Sequence, residues 1–257
     1  MRRRRLSDHC GSRPVRRKTL NDTIASLNHP VSPDGPRRPR LVIFDVNETL
    51  SDMSPIGERF EAVGAPGHLA RTWFAGLLRD GFALTVAQEN PAFTQLAAEG
   101  FRALAAGLPL NRPVEEAVEY VMAGFAGLAV HPDVPGGVRL LAELGIRLVT
   151  LSNGAASIAE RLLADAGLDH AFESCLSVED AGIWKPAPAA YAYAVATCQV
   201  DPMDAMLVAA HPWDTDGAGR AGLATAWINR TGGRYPEYFR PPDLQAASLR
   251  HLADQLR

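Results

Sequence analysis

Two hydrophobic periods divide the chain. Leu41-Val-Ile-Phe44 is four apolar residues with no polar interruption, the pattern of a strand buried on both faces of a parallel sheet. Shorter β-like runs return at Arg147–Leu151, Cys175–Ser177, Met206–Ala210 and Ala224–Ile228. Helical spacing separates them, over Val138–Leu144, Ala156–Ala166, Ala189–Cys198 and Asp216–Ala221. Strands that alternate with helices predict βαβ units, hence an α/β fold with a doubly wound, Rossmann-like parallel sheet.

From Ile56 to Val130 only the helical period is present. Ile56, Phe60 and Val63 share one face, Leu69, Trp73, Leu77 and Leu78 another, and Ala92–Ala106 and Val114–Gly127 give two more helices after the break at Asn111-Arg112-Pro113. This stretch reads as an all-helical insert, a cap over the crevice that open α/β sheets form at the carboxyl ends of their strands. His131–Gly137 reads as the loop that brings the chain back. The expected division is a core of residues 40–55 and 131–257 with a helical cap domain of residues 56–130.

Composition adds one feature. The hydrophobic (47%) and charged (21%) fractions are those of an ordinary globular protein, and no apolar run is long enough for a membrane span. Residues 1–40, however, carry eleven Lys/Arg against three Asp, and the remainder fifteen against twenty-six Asp/Glu, so +8 faces −11. Such an arm invites nucleic acid or an acidic surface, but it has neither interleaved aromatics nor the apolar segment of a secretory signal. Residues 1–39 therefore read as a disordered basic extension without a part in the chemistry, and nucleic acid and membrane are not expected partners. Three cysteines, Cys10, Cys175 and Cys198, without metal-ligand spacing fit a reduced, cytoplasmic protein.

Candidate chemistry sits at the strand ends. Asp45 follows the first strand directly, where a carboxylate serves either as a nucleophile or as a cap of the next turn. Ser152-Asn153-Gly154 and His211-Pro212-Trp213-Asp214 follow two further β-like runs, and Lys185-Pro186 lies between them. Each alone has a plain reading: a cap at Ser152, a solvated loop lysine at Lys185, an N-cap at Asp214. In this order around one sheet they should converge on one crevice.

Asp45 within Phe-Asp-Val-Asn-Glu-Thr-Leu, then Leu151-Ser152-Asn153-Gly154, Ser177-Val178, Lys185-Pro186 with Tyr191 after it, Trp213-Asp214 with Gly217-Ala218, and Trp227-Ile228-Asn229-Arg230 resemble the haloacid dehalogenase superfamily, and more closely its 2-haloacid dehalogenase (type II) family. The resemblance runs from about Leu41 to Arg230 and is weaker in the cap. The superfamily's phosphatases pair the nucleophilic Asp with a second Asp two residues on and hold Mg²⁺ with an acidic pair in the last motif. Here those places hold Asn47 and Ala210, a loss of acid and metal ligand that suits a halide leaving group. The resemblance implies a metal-free enzyme without a cofactor, which hydrolyses small-molecule 2-haloacids through an aspartyl ester on Asp45 and forms a homodimer.

It also implies roles. Lys185 holds Asp45 ionised, Thr49 orients Asp45 or a water, and Asp214 completes the catalytic set. Val46, Asn47, Ser152, Asn153 and Tyr191 contact the substrate. Phe74 and Trp213 line the halide pocket or are plain core, Phe74 standing where better-known members carry a halide-gripping Arg. Arg71 and Arg79 lie near the cap face and offer a replacement. Glu48 and His211 match a subgroup in which a Glu/His pair activates the hydrolytic water. His131, His170 and His251 read as surface groups. Two rival readings are a Mg²⁺-dependent phosphatase of the same superfamily and a basic-armed nucleic-acid-binding module.

Overall fold

The computed structural model describes residues 38–257; the basic extension up to residue 37 lies outside the described residues. Arg38 and Pro39, assigned to that extension from sequence, already meet the fold: the Arg38 guanidinium donates to the carbonyls of Leu256 and Arg257, and Pro39 is buried.

Six parallel strands form one sheet in the order β3-β2-β1-β4-β5-β6, with β1 Leu41–Phe44, β2 Arg147–Ser152, β3 Ser174–Ser177, β4 Ala205–Ala209, β5 Ala224–Ile228 and β6 Leu244–Ala246. β1 is flanked by β2 and β4, with Phe44 in register with Thr150 and Val208. Strand order reverses on either side of β1, so the residue after it faces the crevice of the sheet. Alternation sorts the side chains between two cores. Val42 and Phe44 pack with helices α5 (Val134–Glu143), α6 (Ala156–Asp165) and α10 (Leu249–Gln255). Leu41 and Ile43 share the opposite core with α8 (Pro188–Thr197) and with the insert.

The insert between β1 and β2 is helical: α1 Ile56–Ala62, α2 Leu69–Val86, α3 Phe93–Ala105 and α4 Val114–Ala126. Its interior is aromatic. Phe60 meets Phe101 edge-on with centroids 5.1 Å apart, Phe93 stacks on Phe125 at 5.2 Å, and the Trp73 indole donates to the Ala97 carbonyl at 2.8 Å. The insert also grips the core at Trp184, which is fully buried, donates to the Pro91 carbonyl and stacks on Phe93. A methyl group on Gly81 of α2 would come within 2.5 Å of that indole, so the close approach depends on glycine here.

Two helices begin earlier than their sequence suggests. α5 starts at Val134, inside the expected return loop, and α9 (Pro212–Arg220) starts four residues before Asp216. Both carry Pro in the first turn, where the missing N–H costs no intrahelical bond, so Pro-Gly-Gly and Pro-Trp-Asp only resemble loops. Three elements were not expected: β6, the short helix α7 (Val178–Ala181), and α10, which is capped by Ser248 Oγ accepting from the His251 N–H. α7 likewise starts from a capping Ser177.

Candidate active site

Asp45 leaves β1 with its N–H still bonded to the Val208 carbonyl, so its carboxylate is fixed by the sheet. One oxygen, Oδ1, accepts from Lys185 Nζ at 2.9 Å; the other, Oδ2, accepts from Thr49 Oγ1 at 2.7 Å. Thr49 is oriented in turn, since its oxygen accepts from the Ala210 N–H at 2.9 Å and leaves the hydroxyl proton for Asp45. Lys185 Nζ reaches Asp214 Oδ2 at 2.6 Å on its other side. The ammonium is wholly buried between two carboxylates, an arrangement that stands only because each charge is paired.

The charges of this trio set its protonation. Burial works against the Asp45 carboxylate, but Lys185, His211 and the hydrogen bonds outweigh it and hold the carboxyl below its ordinary value. Asp214 goes the other way, because burial together with the charge of Asp45 exceeds what Lys185 returns. The Lys185 ammonium, penalised by burial, is held above its ordinary value by Asp214 and Asp45. The carboxylate nearest the crevice is thus the better-stabilised anion of the two.

Glu48 and His211 form a looser second cluster at the rim. His211 Nε2 lies 3.5 Å from Glu48 Oε2, 3.9 Å from Asp45 Oδ2 and 3.2 Å from the Asn47 carbonyl. Its ring stacks on Trp213 with centroids 5.2 Å apart, and Phe74 lies 6.2 Å off the imidazole. Trp213 also meets Phe82 edge-on, and Lys185 Nζ sits 5.9 Å from its ring centroid. Phe74, Trp213 and His211 therefore make an aromatic wall beside the carboxylate. Glu48 has φ +60°, a left-handed backbone that costs a non-glycine residue about 1–2 kcal/mol and is kept only where its surroundings impose it.

The remaining sequence candidates divide between lining and support. Val46 and Asn47 are buried beside Asp45, and with Ser51 they border a cleft of about 10 Å³ closed by Phe125, Ala126, Leu128, Ile158 and Leu162. Ser152 Oγ accepts from the Gly154 N–H at 2.9 Å, which frees its proton to donate. Asn153 turns its amide away, donating to the Lys185 carbonyl and accepting from the Lys185 N–H. Tyr191, expected against the substrate, is buried behind the site, and its phenol donates to Asp214 Oδ1 at 2.6 Å. Arg71 and Arg79 are both exposed, and Arg79 pairs with its neighbour Asp80, so neither replaces the missing arginine. His131, read as a surface group, instead contacts the Glu48 carbonyl. The larger groove of about 510 Å³ lies on the insert between Arg102 and Val114 and shares no residue with this cluster.

A resident Mg²⁺ does not fit these donors. Asp45 and Asp214 share the Lys185 ammonium between them, Asn47 and Ala210 stand where acidic ligands would be required, and no group of three His, Cys, Asp or Glu side chains gathers as a metal site among the described residues.

Comparison with known proteins agrees with this geometry. Residues 39–222 match the family of haloacid dehalogenase-like hydrolases. The chain is 29% identical over 221 residues to (S)-2-haloacid dehalogenase 4A of Burkholderia cepacia, covering 84% of this chain and 91% of that protein. Among solved structures it superimposes on a dehalogenase captured with an intermediate complex (TM-score 0.78, 28% identity, 85% and 97% covered) and on an L-2-haloacid dehalogenase (TM-score 0.79, 28% identity, 84% and 98% covered).

Proposed function

The chain belongs to the haloacid dehalogenase-like hydrolases, and from that premise we propose that it hydrolyses small 2-haloalkanoic acids to 2-hydroxyacids and halide through an ester on Asp45. The observation that carries this reading is Lys185 wedged between Asp45 and Asp214 while Asn47 and Ala210 replace an acid and a metal ligand. A halide leaves without a proton, and a carbon electrophile needs no cation to shield phosphate charge from the nucleophile.

In the first step an Asp45 oxygen attacks the carbon that bears the halogen. The C–O bond forms as the carbon–halogen bond breaks, and the halide leaves with the electron pair. Each carboxylate oxygen keeps a free lone pair beyond the bond from Lys185 or Thr49, so the nucleophile is aligned without being blocked. Asp214, braced by Tyr191, holds Lys185 in place. The Ser152 hydroxyl is the donor we assign to the substrate carboxylate, Val46, Phe74 and Trp213 to the apolar walls, and Asn47 to a polar contact beside Asp45. The helical insert, residues 56–130, serves as the cap that closes over the acid.

In the second step water attacks the ester carbonyl carbon of Asp45. His211 takes one water proton, the bond between acyl carbon and alkoxide oxygen breaks, and the 2-hydroxyacid leaves with that proton; Asp45, released as the acid, gives the second proton to solvent and is a carboxylate again. The 3.2 Å contact to the Asn47 carbonyl suits the tautomer with hydrogen on Nε2; base catalysis uses the other, with hydrogen on Nδ1 and the Nε2 lone pair facing Asp45. The Glu48 carboxylate then stabilises the imidazolium. Free Cys175 and Cys198 are in keeping with a reducing cytoplasm.

The test is halide release from chloroacetate, bromoacetate and both enantiomers of 2-chloropropionate with EDTA present, beside p-nitrophenyl phosphate with Mg²⁺. Halide without phosphate is expected. Phosphate release that depends on Mg²⁺, without halide, overturns the reading.

A further inference from the structure

Glu48 is held almost entirely by its backbone. Among the described residues its half-exposed carboxylate has a single polar contact, His211 at 3.5 Å. Its carbonyl, by contrast, receives two donors from distant parts of the chain. His131, just after the helical insert, brings Nε2 to 3.1 Å from that oxygen, and Arg230, in the segment after β5, brings Nη1 to 3.4 Å. Both donors are themselves anchored. Arg230 makes a two-point pair with Asp133 at 2.9 and 3.2 Å, Asp133 also accepts from the Leu249 N–H, and the His131 N–H bonds to the Leu50 carbonyl at the far side of the same turn. Burial and the nearby Arg230 depress the basicity of His131, and because a carbonyl only accepts, the contact requires the ring proton on Nε2.

We propose that His131 and Arg230 form a two-pronged clamp on the Glu48 carbonyl, and that this clamp positions the Glu48 carboxylate against His211 for the ester-hydrolysis half of the cycle. The inference rests on the dehalogenase reading above. At φ +60° the Glu48 backbone is in a region that non-glycine residues leave when they can, and the peptide plane after it is pinned by those two donors. Without them the plane can turn, and the side chain turns with it, away from the imidazole. Asp45, Lys185 and Asp214 would feel little of this, because Thr49 is tied separately to Asp45 and to the Ala210 N–H. His131 and Arg230 touch no reacting atom in this scheme. They are positioning residues.

The experiment separates the two half-reactions in single-turnover mixing of the full chain with chloroacetate. Halide is followed directly, and the Asp45 ester by intact-mass spectrometry. His131→Ala should leave the first release of halide within about twofold of wild type, slow ester hydrolysis about 10–100-fold and let the adduct accumulate. His131→Gln, whose amide donates from a similar reach, should restore most of the rate. Equal losses in both half-reactions, or an adduct that decays at the wild-type rate in His131→Ala, would overturn the clamp. Should the wild type itself release no halide and form no adduct, the dehalogenase reading falls, and the clamp with it. Arg230→Ala loses the pair with Asp133 as well, so it is a second arm, read by the same ratio of half-reaction rates and not by total activity.

Discussion

The two halves of the site are built to different standards. Asp45, Lys185 and Asp214 are joined by charge-assisted bonds of 2.6–2.9 Å, and the ammonium has no exposure to solvent. Glu48 and His211 meet at 3.5 Å, and the Glu48 side chain is 44% exposed. The difference follows the chemistry we assign. Displacing a halide asks for one anion, fixed and already ionised, with water kept out. Hydrolysing the ester asks for a base that a water molecule can reach. Rigid burial would defeat the second task as surely as looseness would defeat the first.

Breaking the buried half should have the largest effect. Asp45→Asn is expected to lower turnover by at least about 10⁴-fold and to abolish the adduct; near-normal halide release would remove Asp45 from the nucleophile's place. Lys185→Ala should impair the first half-reaction and, by leaving two carboxylates buried without their counter-charge, cost about 3–5 kcal/mol of stability, measurable as a fall in Tm at neutral pH. An unchanged Tm would mean the trio is better hydrated than the structure indicates. His211→Ala should spare the first release of halide and slow ester hydrolysis by about 10²–10⁴-fold, so that protein carrying the acyl mass accumulates. If hydrolysis keeps its rate, the rim does not activate water.

Acid should disturb the buried half least of all. Because the folded state depresses the Asp45 carboxyl, the stabilising charge is fully present above the unfolded value of about 3.9 and is lost only as pH falls through the lower folded value. Single-turnover halide release should therefore hold level down to about pH 4 wherever the fold persists. A decline that starts well above that range would mean that protonation of Asp214, whose carboxyl is raised, already loosens Lys185 from Asp45.

Much of this was legible in the sequence, and the exceptions have physical causes. The unbroken apolar run Leu41–Phe44 announced β1, and Asp45, Lys185 and Asp214 were marked by their place after strands or beside proline. What the sequence could not convey was depth. Tyr191 lies in a motif that resembles a substrate-contacting one, yet its hydroxyl is spent on Asp214 from behind. β6 escaped because it is three residues long with the polar Gln245 at its centre. His131 escaped because its contact is with a main-chain carbonyl 83 residues away, a partner with no side-chain signature. Backbone acceptors are invisible to motifs.

One bond pair has a bearing on engineering. Asn153 clasps the main chain of Lys185 from both sides, its oxygen taking the N–H and its nitrogen meeting the carbonyl. The loop that follows β2 and the counter-ion of the nucleophile are thereby spliced into one part. Anyone enlarging the pocket for bulkier acids will find that position 153 is not a free design variable. Phe74 can be varied for fit, whereas a change at Ser152 removes the assigned carboxylate donor, and a change at Asn153 disturbs the placement of Lys185 against Asp45 and would be mistaken, in a library screen, for a failure to bind.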